Sequence, residues 1–259
     1  GTAQGFHFDN ATMKPIINNE GWKKAFELYK ATGQYGPPDE LNMDIGDTRA
    51  LFKAGRCGLI VEWGDPGTLQ LDDDAKSIRG KMYAISAVGS TEVLDRATGK
   101  LVPVSAATAP YAVDGINYAP FAAFGGWAGA VNNGADAKTK AAAYAFLSYM
   151  NQAAQSGVDV TIGATGYNPY RTSQLASTDL WVKAGMPKAL ADNYLGAING
   201  AINNLNMASD MKIPGAQKYT SVVLDTELAR YLAGEITVDE ALANIEEGWE
   251  EVTEDFGRD

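Results

Sequence analysis

Residues 121–131 read Phe121-Ala-Ala-Phe-Gly-Gly-Trp-Ala-Gly-Ala-Val131, and Asn132-Asn-Gly134 and an alanine-rich segment follow them. The length of this run, its apolar character and its flanking turn residues predict a buried strand. Glycine inside a strand usually marks a bulge or a close approach to the backbone. Gly125 and Gly126 are therefore consistent with a ligand near Trp127. A core position for Trp127, with the glycines relieving crowding, explains the stretch equally well.

The composition excludes several functional classes. The chain has 259 residues, which is enough for one large or two modest domains. Its net charge of −11 argues against nucleic-acid binding. With one cysteine, Cys57, and one histidine, His7, it can form no internal disulfide and no multi-histidine zinc site. Because His7 lies near one end of the sequence, it also offers no convincing Ser-His-Asp triad. We expect Cys57 to be a buried, inert thiol, and we expect neither a cofactor nor a metal.

Helical periodicity and end signals are strong in much of the chain. A first helix should start after Asn18-Asn19, with Trp22, Ala25, Phe26 and Tyr29 on one face, and end at Gly33. The last helix opens with the capping box Thr237-Val-Asp-Glu240 and carries an apolar stripe that includes Trp249. Further helices are predicted over residues 46–54, 135–150, 177–184, 187–203 and 215–233. A second helical piece follows the 135–150 helix and ends at about residue 160.

Two strands are predicted upstream of the opening run. Leu59-Ile60-Val61 reads as a buried strand, and Met82–Val88 reads as the next one. Residues 89–120 show little periodicity apart from a hairpin tip at Asp95–Lys100, and long loops of this kind are often functional. Binding-type side chains in this loop are Tyr111, Asn117 and Tyr118, although loop packing explains them as well.

Polar and aromatic residues follow the first strand directly, in Glu62-Trp63-Gly64-Asp65-Pro66. Asp65 suits a helix cap, and Pro66 suits the first helical turn. Ligands bind at such strand ends in open α/β sheets. Glu62 and Asp65 could act as hydrolytic carboxylates, but acidic groups more often hydrogen-bond sugar hydroxyls. The run Asp72-Asp73-Asp74 predicts a solvated turn, with a weak cation site as the alternative.

Aromatic residues beside small polar groups recur on the predicted loops. Rings of this kind stack on the apolar face of a polyhydroxylated ligand, and the polar groups bind its hydroxyls. The residues with this character are Trp63, Trp127, Tyr167, Tyr170 and Arg171.

Five stretches, in matching order, resemble the extracellular solute-binding proteins of ABC importers, the sugar-binding family that includes maltose-binding protein. They are Phe8–Pro15 before a helix, Leu51–Trp63, which is similar to the family's F-x-x-G-x-x-A-M strand, Gly125-Gly126-Trp127 with the helix after it, Gly166–Arg171, and Leu232–Leu242. Together they span nearly the whole chain. Relative to the family, the N-terminal portion is expected to be missing, and residues 89–120 form a longer insertion.

The resemblance implies an α/β, periplasmic-binding-protein-like two-lobe fold with a helix-rich C-terminal part and a sugar bound in the cleft. Residues 1–124 would form the α/β part of lobe II, 125–180 the hinge crossing and part of lobe I, and 181–259 helices that pack back on lobe II. The expected ligand-binding residues are Glu62, Trp63, Asp65, Gly125, Gly126, Trp127, Tyr167, Tyr170 and Arg171. Helices near 136–160 would lack a sheet to cover, so another segment or chain would complete the fold.

These observations predict a non-catalytic solute-binding module, periplasmic or extracellular, that takes a carbohydrate or polyol for ABC-type uptake. Its partners would be the sugar and an ABC permease. An alternative is an extracellular sensing domain of a larger signalling receptor, whose remaining part would then be the partner. A remote alternative is a glycoside hydrolase that uses Glu62 and Asp65.

Overall fold

The computed structural model describes residues 5–122 and 126–257, and within them the chain is a mixed α/β protein rich in helix. The α-helices are α1 Glu20–Thr32, α2 Ile45–Lys53, α3 Ala137–Met150, α4 Ala153–Asp159, α5 Thr172–Leu175, α6 Asp179–Lys183, α7 Lys188–Ile202, α8 Asp225–Leu232 and α9 Val238–Phe256. A 3₁₀ helix covers Asp65–Leu71, and a π-helix covers Lys218–Leu224. The predicted helix-rich C-terminal part is confirmed.

The strands are short and pair two by two. They are β1 Gly89–Ser90, β2 Glu92–Asp95, β3 Lys100–Pro103, β4 Asn117–Tyr118, β5 Phe121–Ala122 and β6 Ala208–Ser209. β2 and β3 form an antiparallel hairpin with Asp95 opposite Lys100, which confirms the predicted tip. β1 pairs with β4 antiparallel, and β5 pairs with β6 in parallel. The segment 89–120 is therefore more regular than its weak periodicity predicted, because cross-strand bonds order it.

The chain divides into two compact units. Unit 1 is formed from the described residues of 1–42, 87–125 and 204–259, and unit 2 from those of 43–86 and 126–203. Each unit has its own buried clusters. The lobe assignments of 1–124, 125–180 and 181–259 stay a prediction, because they refer to a family architecture.

The core of unit 1 is aromatic. Trp249 of α9 is fully buried, stacks on Phe8 with 5.0 Å between ring centroids, and meets Tyr219 edge-on at 6.0 Å. Its indole N–H donates to the Tyr219 carbonyl at 2.8 Å. The capping box of Thr237 and Glu240 starts the helix, as predicted. The stripe on α9 thus forms the core, except at Phe256, which is 47% exposed.

Helix α1 is also confirmed in its bounds but only in part in its buried face. The side chain of Asn19 caps it by accepting hydrogen bonds from the N–H groups of Gly21 and Trp22. Phe26 is buried and Trp22 partly buried, whereas Ala25 and Tyr29 are exposed. The inward face is narrower than predicted, since Trp22 and Phe26 are its members that pack on the aromatic core.

Two predicted strands are wrong in the structure, and the strand predicted in the opening run is confirmed only at its start. Residues 59–61, 82–88 and 126–131 have no strand pairing, and only Phe121–Ala122 of the opening run is a strand. Leu59 and Val61 are almost fully exposed rather than buried. A strand requires a hydrogen-bonding neighbour, and none pairs with these segments within the described part of the chain. The apolar sequence of these segments was therefore not enough to form a strand.

Candidate functional site

A partly buried arginine lies between the predicted carboxylates in unit 2. Arg49 lies on α2, which starts with a capping box of Asp44 and Asp47 and packs through Phe52. The Nε of Arg49 lies 2.6 Å from Oε2 of Glu62, and its Nη1 lies 2.9 Å from Oδ2 of Asp65. The two predicted acidic residues are thus brought together by a cation that the sequence analysis missed.

Glu62 also fixes the tryptophan beside it. Its other oxygen, Oε1, accepts a hydrogen bond from the backbone N–H of Trp63 at 2.8 Å. The guanidinium carbon of Arg49 lies 5.9 Å from the ring centroid of Trp63, within range of a cation–π contact. Trp63 is half-buried, so part of its surface stays accessible. Arg49 thus lies over the ring, and Glu62 binds the backbone that carries it.

Asp65 is almost completely buried, with 1% of its side chain exposed. It is the first residue of the 3₁₀ helix, whose cap position is occupied by Gly64, so the predicted capping role of Asp65 is wrong. Its side chain turns to Arg49 rather than to the helix N–H groups. Burial raises the pKa of Asp65, and the charge of Arg49 opposes that rise.

The loop after the 3₁₀ turn Gly163–Thr165 lies against this group. Gly166 takes a left-handed conformation at φ 68°, and a Cβ placed there would lie 4.0 Å from Oδ2 of Asp65. A Cβ on Gly64 would lie 2.7 Å from Oδ1 of Asn168. Tyr167 is half-buried and Asn168 exposed. The predicted Tyr167 therefore belongs to the same neighbourhood as Glu62, Trp63 and Asp65.

Tyr194 of α7 lies next to the Arg49 group, beneath the 3₁₀ helix that begins at Asp65. Its ring packs so tightly on Gly67 that a Cβ at that position would lie 2.2 Å from two ring carbons. Burial, and to a lesser extent the charge of Asp65, raises the pKa of Tyr194. Within the described residues, the Tyr194 hydroxyl, Oδ1 of Asp65 and Nη2 of Arg49 are buried without a hydrogen-bond partner. Such atoms are uncommon in folded proteins.

Tyr170 and Arg171 lie on the same loop but serve another contact. Nε of Arg171 donates to Oγ of Ser156 at 3.1 Å, and its Nη2 donates to the carbonyl of Asn151. The guanidinium carbon lies 5.5 Å from the ring centroid of Tyr170, which is half exposed. Arg171 thus ties the loop to the junction between α3 and α4.

The glycine–tryptophan stretch contributes an exposed ring. Trp127 is 77% exposed, so its alternative placement in the core is wrong. Gly126 has φ 108°, a conformation that side chains rarely adopt. Gly125 lies outside the described residues. The contacts that define the Arg49 group do not include Trp127.

Other candidate residues form no metal centre. Lys53 pairs with Asp74 at 2.8 Å and with Asp72 at 3.6 Å, so the acidic run is at least partly neutralised. Cys57 is a free thiol of intermediate exposure that packs on the Phe52 cluster. Within residues 5–122 and 126–257, no group of three or more His, Cys, Asp or Glu residues could hold a metal ion. In the same ranges, no helix is long and apolar enough to cross a membrane.

Arg49, Asn168 and Tyr194 are the site residues that sequence reasoning missed. One signal could have found Arg49: two carboxylates beside an apolar run require a counter-charge if they are buried. Comparison with models of protein families found no match, and comparison with curated proteins found none either.

Proposed function

We propose that the chain is a non-catalytic solute-binding module that takes a carbohydrate or polyol at the Arg49 group of unit 2. In this proposal its two units belong to a periplasmic-binding-protein-like fold. The module would act in the periplasm or outside the cell and deliver its ligand to an ABC permease.

The observation that carries the proposal is the partly accessible ring of Trp63 beside Arg49 and an exposed amide. Arg49 lies over the ring, Glu62 binds the Trp63 backbone, and the amide of Asn168 lies next to Gly64. A partly exposed ring with a neighbouring amide suits a sugar, whose C–H face stacks on the ring while its hydroxyls hydrogen-bond.

The pairing of the carboxylates favours binding over catalysis. A glycoside hydrolase requires one carboxyl group that gives a proton and another that attacks or activates water. Both oxygens of Glu62 are already engaged, by Arg49 and by the N–H of Trp63, and Asp65 is buried against the same arginine. Neither carboxylate has the accessible oxygen that a nucleophile or general base needs.

The test is a thermal-shift and calorimetric screen of the chain against monosaccharides, oligosaccharides and polyols. A ligand at about a hundred times its dissociation constant stabilises the folded chain by about 2.7 kcal/mol. Trp63→Ala should abolish the shift. Tyr35→Ala is the matched control, since Tyr35 is an exposed ring of unit 1 and should leave the shift intact.

Two outcomes would overturn the proposal. One is a folded chain that no sugar or polyol stabilises at millimolar concentration. The other is turnover of an aryl glycoside that disappears in Glu62→Gln, which would establish the hydrolase instead. A sugar shift that survives Trp63→Ala but disappears in Trp127→Ala would move the site to the glycine–tryptophan stretch.

A further inference from the structure

Two irregular segments of unit 2 have the side-chain pattern of strands. In the first, Ile60 packs inward on the Phe52 cluster while Leu59 and Val61 point outward and are almost fully exposed. In the second, Met82 packs on the same cluster. Its neighbours Tyr83 and Ile85 are 68% and 77% exposed. Alternation of this kind is the period of a β-strand.

The backbone of both segments lacks the neighbour that a strand requires. Residues 58–61 and 82–88 make no backbone–backbone hydrogen bond to the described part of the chain. Ala84 is bound on one edge by the side chain of Asn193, whose Oδ1 accepts from its N–H at 2.8 Å and whose Nδ2 donates to its carbonyl at 3.0 Å. The asparagine amide thus takes the place of an adjacent peptide group.

This arrangement leaves a defined free edge. In a strand, the N–H and C=O of alternate residues point to opposite edges. Because Asn193 occupies the edge used by Ala84, we infer from this alternation that the backbone groups of Tyr83 and Ile85 serve the other edge. The side chains there are apolar on the exposed face, as are Leu59 and Val61. Strands that are apolar on both faces belong to sheets covered on both sides.

Charge near the segments indicates the chemistry of the partner. The chain carries a net charge of −11, yet basic residues gather where the two segments begin. They are all exposed: Arg56, Lys76, Arg79 and Lys81. The described hydrogen bonds of Arg79 and Lys81 go to backbone carbonyls, so their charges are not neutralised by these bonds. A partner with carboxylates beside its apolar strand complements this surface.

We propose that unit 2 binds an extended apolar segment of another polypeptide, flanked by carboxylates, as an added β-strand along residues 58–61 and 82–86. The bound strand pairs with the free backbone edge and covers the exposed apolar side chains, and its acidic flank meets Arg56 and Lys81. Strand addition of this type is an established mode of peptide recognition. The proposal is independent of sugar binding.

The probe is a blocked peptide of about ten residues that alternates valine and threonine and ends in glutamates. Hydrogen exchange of the full chain, read by mass spectrometry, should slow by about tenfold or more in residues 58–61 and 82–86 when the peptide is added. The same peptide N-methylated at alternate residues is the control and should give no protection, because it cannot complete the ladder.

Matched variants test the site itself. Val61→Glu should weaken peptide binding by about tenfold or more, because it places a charge under the added strand. Val222→Glu changes an exposed valine of unit 1 in the same way and should leave binding unchanged. Replacing the peptide's glutamates with lysines should weaken binding, and the difference should shrink at high salt.

Three results would overturn the proposal. The first is no protection at millimolar peptide. The second is protection of both segments in the free chain at every concentration, which would show that they pair within the chain. The third is protection that rises with protein concentration in the absence of peptide, which would identify a second copy as the occupant.

Discussion

The aromatic centre of unit 1 and the polar centre that the Arg49 group forms in unit 2 are built from opposite materials. In unit 1, aromatic rings surround Trp249, and the polar atoms beside it are paired: the Trp249 indole donates to the Tyr219 carbonyl, and the Tyr219 hydroxyl lies 3.0 Å from that of Thr253. In unit 2, which also has apolar clusters, Arg49 and Asp65 form an ion pair in the interior, and Nη2 of Arg49 and Oδ1 of Asp65 lack a hydrogen-bond partner in the described chain.

This difference is the one expected between a centre that stabilises the fold and a candidate binding site. Satisfied polar groups and stacked rings stabilise a core at little cost. A buried ion pair contributes little net stability and is often less favourable than apolar packing of the same volume. Its presence in unit 2, next to an accessible tryptophan, therefore favours a functional explanation.

The largest expected effect is on the aromatic centre. Trp249→Ala removes a fully buried ring and should lower the free energy of unfolding by about 3–5 kcal/mol. Trp127→Ala is the control, and because that ring is exposed it should change stability by no more than about 0.5 kcal/mol. Urea denaturation measures both. Equal effects of the two substitutions would erase the distinction between a core and an exposed tryptophan.

A somewhat smaller effect is expected in the polar centre. Arg49→Met leaves Glu62 and Asp65 without their counter-charge and should destabilise by roughly 3 kcal/mol. Arg230→Met breaks a more exposed ion pair with Glu227 and should cost at most about 1 kcal/mol. Adding Asp65→Asn to Arg49→Met should recover part of the loss. No recovery in the double variant would contradict the charge explanation.

The smallest effect is on the pH dependence, and it has opposite sign in the two centres. In unit 1, burial lowers the pKa of His7 below its ordinary 6.5, and the charge of Asp210 opposes this. The folded chain binds that proton less readily than the unfolded chain, so stability is lost as pH falls below 6.5. In unit 2, the raised pKa of Asp65 means that the folded chain binds its proton more readily. The ionised form of Asp65 therefore lowers the free energy of unfolding, and this loss disappears as the carboxyl is protonated when the pH falls toward 3.8.

The measurement is urea denaturation from about pH 7 to about pH 4. The wild type should lose stability relative to His7→Gln on acidification and gain stability relative to Asp65→Asn. If acidification changed both stability differences in the same direction, the predicted contrast between His7 and Asp65 would be wrong.

Local signals in the sequence predicted the helices well. Asn19, the Thr237 capping box and the period of α9 each act within a few residues, so their physical cause is present in the sequence itself. The strands at 59–61 and 82–88 were wrong for the converse reason. An apolar run can only propose a strand, and pairing depends on a neighbour that local sequence does not contain.

The site was predictable where its residues adjoin in sequence. Glu62, Trp63 and Asp65 lie in one short run, and Tyr167 is recognisable from its Gly-Tyr-Asn-Pro loop. Arg49 and Tyr194 reach the site only through the packing of α2 and α7, so their spacing in the sequence does not predict that they belong to it. Arg171 was predicted to bind the ligand from its residue type, but in the structure its guanidinium donates to the backbone carbonyl of Asn151.

The contact between Gly67 and Tyr194 couples the substitutions that these two distant positions can accept during evolution. Any side chain at position 67 would collide with the tyrosine ring 2.2 Å from its Cβ. A lineage can therefore enlarge position 67 only after position 194 has become smaller, and the order of those substitutions is constrained. In a saturation mutagenesis library, position 67 should tolerate alanine only in backgrounds that have already lost the ring at position 194.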